Sequence, residues 1–321
     1  MSEGSRTGVL LLAFGGPDSL DAVGPFMAEL MGREPSPELV QRVTHRYLAI
    51  GGSSPLPRTA RAIANALEEL LSTEERLVPV RVGMRYWHPY VAEGMRELVD
   101  LGCTRIITVS LSPFETPVAT GAYDEAVARA AEAFDSLEVT AAASYRDRDD
   151  FLNLLAIMCT SGLADAPKGR RLLAFTAHSL PEDEAGDEYV AQLRNVVSAI
   201  GDRLGLVPAS GEVEVVPGVR AFGANEDYPW LLAYQSKGAR PGKWFGPDID
   251  DVLGAAKKAG FEVLVVCPIA FLTDHMETLY DLDIVLAGAA LDRDMEFVRA
   301  PVPNDHPAMV QTLAATVEPL L

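Results

Sequence analysis

Short, almost continuously apolar runs alternate with longer segments in which apolar positions recur every three or four residues. The runs at 8–14 (GVLLLAF), 78–84, 104–111 (TRIITVSL), 137–143, 171–177 (RLLAFTA), 261–268 (FEVLVVCP) and 295–299 have strand length. Several are nearly unbroken in Val, Ile and Leu, the pattern of strands covered on both faces of a parallel sheet. Helical periodicity marks 57–72, 89–101, 121–135, 149–161, 187–204, 248–259 and 305–320. Another helix starts at Ser36-Pro37-Glu38, where an N-cap hydroxyl, a first-turn proline and an early acid precede Leu39-Val40. Strand–helix alternation of this kind predicts an α/β protein with open, doubly wound parallel sheets.

At 321 residues the chain exceeds the size at which one core usually stops growing. Two Rossmann-like lobes are therefore expected. The break falls around 162–170, where Ser161-Gly162 and Pro167-Lys168-Gly169 interrupt both periods, giving lobes 1–167 and 168–321, with the last helix able to return to the first lobe. A helix, Gly102, a strand and Ser112-Pro113-Phe114 parallel a helix, Gly260, a strand and Pro268 to Phe271, as a duplicated lobe would. Segment 207–230, rich in Pro and Gly, reads as a long loop or small insertion.

The formal charge of -19 argues against nucleic acid and anionic membrane surfaces as partners, because the summed field repels both. No stretch approaches the roughly 20 apolar residues of a membrane helix. A cytoplasmic protein without integral membrane association is expected. Its three cysteines, Cys103, Cys159 and Cys267, have neither zinc nor iron–sulfur spacing and read as core thiols.

Among five histidines, His178 is distinctive, because it ends a strand-like run and precedes Ser179-Leu180-Pro181. Ligand crevices open at such carboxyl ends. Position alone also allows a histidine that caps the next helix or bonds a nearby carbonyl. Asp274, Glu277 and Asp281 stand at i, i+3 and i+7, which on an α-helix aligns three hard oxygen donors for a dication. Acids in a first helical turn are equally explained by the helix dipole. In 45–56 (HRYLAIGGSSPL), Gly51-Gly52 suits a tight turn, and Arg46, Tyr47 and Ser54 can converge on a carboxylate. A serine hydrolase lacks its G-x-S-x-G, and Phe14-Gly15-Gly16-Pro17 lacks the third glycine of a dinucleotide loop.

Together these segments resemble the ferrochelatases. The likeness rests on AFGGP (13–17), RYLAIGGSSPL (46–56), GMRYWHP (83–89), TAHSLPE (176–182), YQSKG with WFGPDIDDVL (234–253), FLTDHMETLYDLDI (271–284) and PNDHP (303–307), in that order. It implies a chelatase-like fold with a porphyrin cleft between the lobes, and insertion of Fe2+ into the porphyrin during haem biosynthesis. His178 and Glu277 match the family's facing histidine and glutamate, implicated in metal handling and pyrrole deprotonation, with Asp281 extending the metal route. Arg46, Tyr47, Ser54 and Tyr123 match positions that contact the porphyrin or its propionates.

The resemblance is strongest to the coproporphyrin III type, with its polar stretch before the Gly-Gly turn. Protoporphyrin IX is the alternative substrate, a cobalt or nickel chelatase a neighbouring reading, and a non-catalytic haem or porphyrin carrier a reading of another class. Fe2+ is expected as substrate, with no permanent cofactor, no iron–sulfur cluster and a monomeric state. Phe14 stands where the coproporphyrin type often carries a tyrosine able to ligate product iron, and Leu30 and Met31 where it can offer an arginine, so both count against that type; Val285 replaces an outer acid of the carboxylate row.

Overall fold

A computed structural model of the chain describes residues 6–206, 208–216, 219–224, 229–238 and 241–321. It resolves into two compact units, Met1–Tyr145 with Asn304–Leu321, and Arg146–Pro303.

The first unit runs β1 (Arg6–Ala13), α1 (Val23–Met31), α2 (Pro37–Ala49), α3 (Leu56–Leu71), β2 (Val80–Met84), α4 (Val91–Asp100), β3 (Cys103–Ser110), α5 (Ala122–Ala131) and β4 (Glu138–Ala141). Its four strands are all parallel, in the order β2-β1-β3-β4. Val9, Leu10 and Leu11 are completely buried, which is why β1 shows no alternation. Leu10 and Leu12 pack with Val91, Met95 and Leu98 of α4. Helix α2 starts as its sequence predicts, with the Ser36 hydroxyl accepting the Leu39 N–H at 3.3 Å and Pro37 in the first turn.

The second unit runs α6 (Asp149–Asp165), β5 (Arg171–His178), α7 (Glu182–Arg203), β6 (Pro208–Val216), β7 (Val219–Ala224), β8 (Pro229–Gln235), α8 (Ile249–Lys258), β9 (Val263–Pro268), α9 (Met276–Leu279), α10 (Ala287–Leu291) and β10 (Glu296–Arg299). The sheet order is β10-β9-β5-β8-β7-β6, parallel from β10 to β8 and antiparallel beyond. The last helix, α11 (Pro307–Val317), packs on α3 and β3 of the first unit.

Two expectations change. The division falls at 145/146 instead of 167/168, because α6 packs on α7, β9 and β10. That packing is close: a Cβ on Gly162 would lie 2.7 Å from the Cβ of Ala300. Of the two readings of 207–230 the small insertion holds and the long loop does not: the segment supplies β6, β7 and the start of β8, with residues 207, 217–218 and 225–228 outside the described residues. Pro208 and Pro229 are the first residues of their strands, where a missing N–H is tolerated, so they punctuate strands without preventing them.

Both units repeat one topology. Ordered by sequence, the parallel strands β1, β2, β3, β4 and β5, β8, β9, β10 each lie second-first-third-fourth across their sheet. Gly102 and Gly260 end the helices before the third strands in left-handed conformations, φ 85° and 81°. After each third strand the chain makes a π-helical turn, Pro117–Gly121 and Asp281–Leu286. The order of such a sheet reverses between its first and third strands, so ligand crevices are expected at the carboxyl ends of β1 and β3, and of β5 and β9.

Candidate active site

His178 is the last residue of β5, and Glu277 lies in the short helix that follows β9. They therefore flank the switch point of the second sheet. His178 Nε2 and Glu277 Oε1 are 3.2 Å apart, with side chains 32% and 29% exposed. The Nδ1 atom of His178 lies 2.6 Å from the carbonyl oxygen of Ser179, which can only accept, so Nδ1 carries a proton and Nε2 faces the carboxylate.

Burial pulls the His178 pKa down. The charge and hydrogen bond of Glu277, the Ser179 carbonyl and Asp281 outweigh it and raise the value to about 9. Burial pushes Glu277 up, but the His178 charge and hydrogen bond, helped by His275, leave it below the usual glutamate value. At neutral pH the pair is an imidazolium and a carboxylate sharing one proton. Both side chains keep about a third of their surface open to solvent.

Buried polar groups hold the pair. Gln235, only 1% exposed, donates from Nε2 to the Glu277 carbonyl at 2.8 Å and accepts from the Thr176 hydroxyl at 2.8 Å. Its own carbonyl accepts the Ser179 N–H at 2.8 Å, and the Tyr189 hydroxyl donates to the His178 carbonyl at 3.1 Å. Leu282 and Leu286 of the π-helical turn are buried in the core formed by β5, β8, β9 and α8.

The sequence gives no sign of a role for Gln235 or Tyr189, and offers His275 only as a further histidine for a chelatase of another metal. His275 Nε2 is 3.9 Å from Glu277 Oε2, and burial lowers its pKa. Spacing i, i+2 hides this neighbour, because residues so separated do not share a helix face. His275 is extended (φ -160°, ψ -167°) and precedes the helix, which lets its ring approach.

The three-carboxylate row is not formed. Helix α9 ends at Leu279 and a π-helical turn begins at Asp281, so α-helical periodicity does not carry across. Asp274 accepts the Thr278 hydroxyl at 3.0 Å and pairs with Arg299 at 3.2 Å, whereas Asp281 accepts the Ser236 hydroxyl at 2.7 Å. Among the described residues, no three His, Cys, Asp or Glu side chains converge as a metal cage.

In the first unit, Arg46 is exposed in the last turn of α2, whereas Tyr47 and Ser54 are buried. Ser54 donates its N–H to the Pro17 carbonyl at 2.7 Å, and its Oγ would lie 2.6 Å from a Cβ on Gly16, so Gly16 is required there. Tyr123 is buried in the apolar cluster of Leu10, Leu12 and Val91, and burial pushes its phenol pKa up. Its ring walls the core. Phe14, 42% exposed, lies 4.8 Å from Tyr86, whose ring also meets the Arg85 guanidinium at 4.7 Å. These aromatics form an open ledge at the carboxyl end of β1.

Two doubly wound parallel sheets of this order, one with a histidine–glutamate pair at its switch point, form an α/β architecture of the chelatase type. The sequence model of the ferrochelatase family matches residues 6–320. The chain belongs to the ferrochelatase family, whose members insert iron into porphyrins. A ferrochelatase of Deinococcus radiodurans is 30% identical, covering 97% of this chain and 95% of that one. The coproporphyrin III ferrochelatases of Mycobacterium ulcerans and Bacillus subtilis are 32% and 27% identical, covering 97% of this chain and 86% and 97% of theirs. The solved structure of SirB from Bacillus subtilis with Fe3+ shares the fold at a TM-score of 0.59 and 11% identity, covering 98% of this chain and 94% of that one. Among the described residues no helix is long and apolar enough to cross a membrane.

Proposed function

We propose that this ferrochelatase acts on coproporphyrin III, and that His178 and Glu277 carry the proton and metal steps. The observation that carries the residue assignment is the 3.2 Å contact between the two side chains at the switch point of the second sheet. Free-base porphyrin must surrender two N–H protons as the dication enters, and it must bend so that nitrogen lone pairs point out of plane. A pocket that favours the bent form acts by differential binding.

The resting pair already holds one proton on His178. Approach of Fe2+ to Glu277 weakens the carboxylate's hold on that proton, which passes from the imidazole to water at the exposed edge of the pair; the neutral ring then takes the two pyrrole protons in turn and hands each to water. Neutral Nε2 is then a base, or a transient ligand for Fe2+. Nδ1 stays committed to the Ser179 carbonyl, so the ring keeps its orientation while Nε2 changes protonation. Asp281, held by Ser236, is the next carboxylate along the metal route.

Three observations favour coproporphyrin III. Gly32-Arg33-Glu34 and Ser36-Pro37-Glu38 are polar and exposed, a surface unsuited to resting on a bilayer. Arg46, exposed in the last turn of α2, carries a planar cationic fork of the kind that pairs with a propionate. Two relatives matched over most of their length bear the coproporphyrin III name. Phe14 lacks the oxygen that would ligate product iron, so product iron has no ligand from this position. The protein is further proposed to be a cytoplasmic monomer with Fe2+ as substrate and no resident cofactor or iron–sulfur cluster.

Side-by-side assays of Fe2+ insertion test the substrate. Coproporphyrin III is expected to give the higher kcat/KM, and Arg46→Ala to weaken it more than protoporphyrin IX. Equal or better efficiency with protoporphyrin IX in dilute detergent overturns the substrate and leaves the enzyme class intact.

A further inference from the structure

Arg299 ends the edge strand β10, in register with Val266 of β9. Its guanidinium makes a two-pronged contact with Asp283, Nε to Oδ1 at 2.6 Å and Nη2 to Oδ2 at 2.8 Å. Its third nitrogen, Nη1, lies 3.2 Å from Asp274 Oδ1, an ion pair without hydrogen-bond alignment. The arginine side chain is 14% exposed, and the two aspartates 21% and 35%. Asp274 and Asp283 bracket the segment that carries His275, Glu277 and Asp281. A single planar fork thus joins both ends of that segment to the sheet edge.

The rest of the segment is held unevenly. Leu282 and Leu286 anchor the π-helical turn in the core, and Gln235 holds the Glu277 carbonyl, but no apolar side chain of 274–277 is fully buried. Asp274 takes the Thr278 hydroxyl, which in turn accepts the His275 N–H at 3.1 Å, so the turn entering α9 is organised around Asp274. Without Arg299 two half-buried carboxylates would face each other uncompensated, and breaking one partner of such a group is costly. The segment between them would open, and Glu277 would move relative to His178. Arg299 itself touches neither His178 nor Glu277.

We propose that Arg299 is a positioning residue for metal insertion: by strapping Asp274 to Asp283 it fixes the Glu277–His178 contact. The inference rests on the role assigned to that pair above. Arg299→Ala is expected to lower kcat about tenfold while KM for porphyrin stays within about threefold, since the lost contact serves the transition state and not substrate binding. Added millimolar guanidinium is expected to restore part of the activity of R299A, which loss of general structure would not allow. R299K recovers less, because one ammonium cannot match a fork shared among three carboxylate oxygens.

Wild-type kcat in folded R299A overturns the proposal, and so does a loss that guanidinium leaves unrepaired. Should R299A not fold, D283N carries the test: it removes the two-pronged partner with little change in shape, and wild-type kcat there overturns the proposal. Glu277→Gln is run alongside. An inactive E277Q with a fully active R299A rejects the strap alone, and an active E277Q rejects the pair and the strap together.

Discussion

The Gln235 side chain donates to the carbonyl oxygen of Glu277 at 2.8 Å while its own Oε1 accepts from Thr176, two residues before His178. One buried amide therefore ties the strand that ends in the imidazole to the helix that carries the carboxylate.

Gln235→Leu leaves the Thr176 hydroxyl and the Glu277 carbonyl without this partner in a dry site. Each orphaned buried group costs about 1–3 kcal/mol, so a clear fall in stability is expected. Urea melts check it: an unchanged midpoint would show that these bonds contribute nothing. Turnover is expected to fall with stability, because the backbone of Glu277 is the bonded group.

His178 gives a pH signature with a definite sign. Its folded pKa of about 9 lies above the ordinary value of 6.5. Its contribution to stability is therefore fully present below about 6.5 and is lost as pH rises through about 9. The stability difference between wild type and Glu277→Gln should shrink across that window. NMR titration of the ring supplies the direct reading. In the Gln variant burial dominates, so the midpoint should drop well below that of wild type, and an unmoved midpoint would contradict the assignment of cause.

Gly162→Ala places a methyl group 2.7 Å from the Cβ of Ala300 and 2.8 Å from its Cα. Backbone cannot yield as a flexible side chain can, so overpacking should cost about 1–3 kcal/mol. Thermal melts of the variant test this, and wild-type stability would show that α6 and the segment after β10 separate easily.

How much was legible follows physical lines. Strand β1 was plain because Val9 to Leu12 form an unbroken apolar run, and α2 because Ser36 and Pro37 announce its start. His178 was singled out by its place at a strand end, and Glu277 by its spacing with Asp274 and Asp281 before the resemblance added to it. Strand β8 was missed because Pro229 and the Pro- and Gly-rich stretch before it read as punctuation, although Trp230 to Gln235 are buried. Helix α1 was missed because no side chain caps its start at Ala22. Asp274 was expected beside Glu277 and is instead paired with Arg299. No periodicity connects residues 25 apart, and a π-helical turn breaks the register that spacing assumes. The burial of Tyr123 was not legible, since sequence does not reveal which face of α5 meets the sheet.

The measurement that bears most directly on the whole account is Fe2+ insertion by Glu277→Gln under saturating porphyrin and metal, with His178→Ala beside it. Both groups are assigned to proton and metal transfer, so each variant should keep its fold and its porphyrin binding while kcat falls about a hundredfold or more. A folded variant of either residue that turns over at close to the wild-type rate would contradict the account.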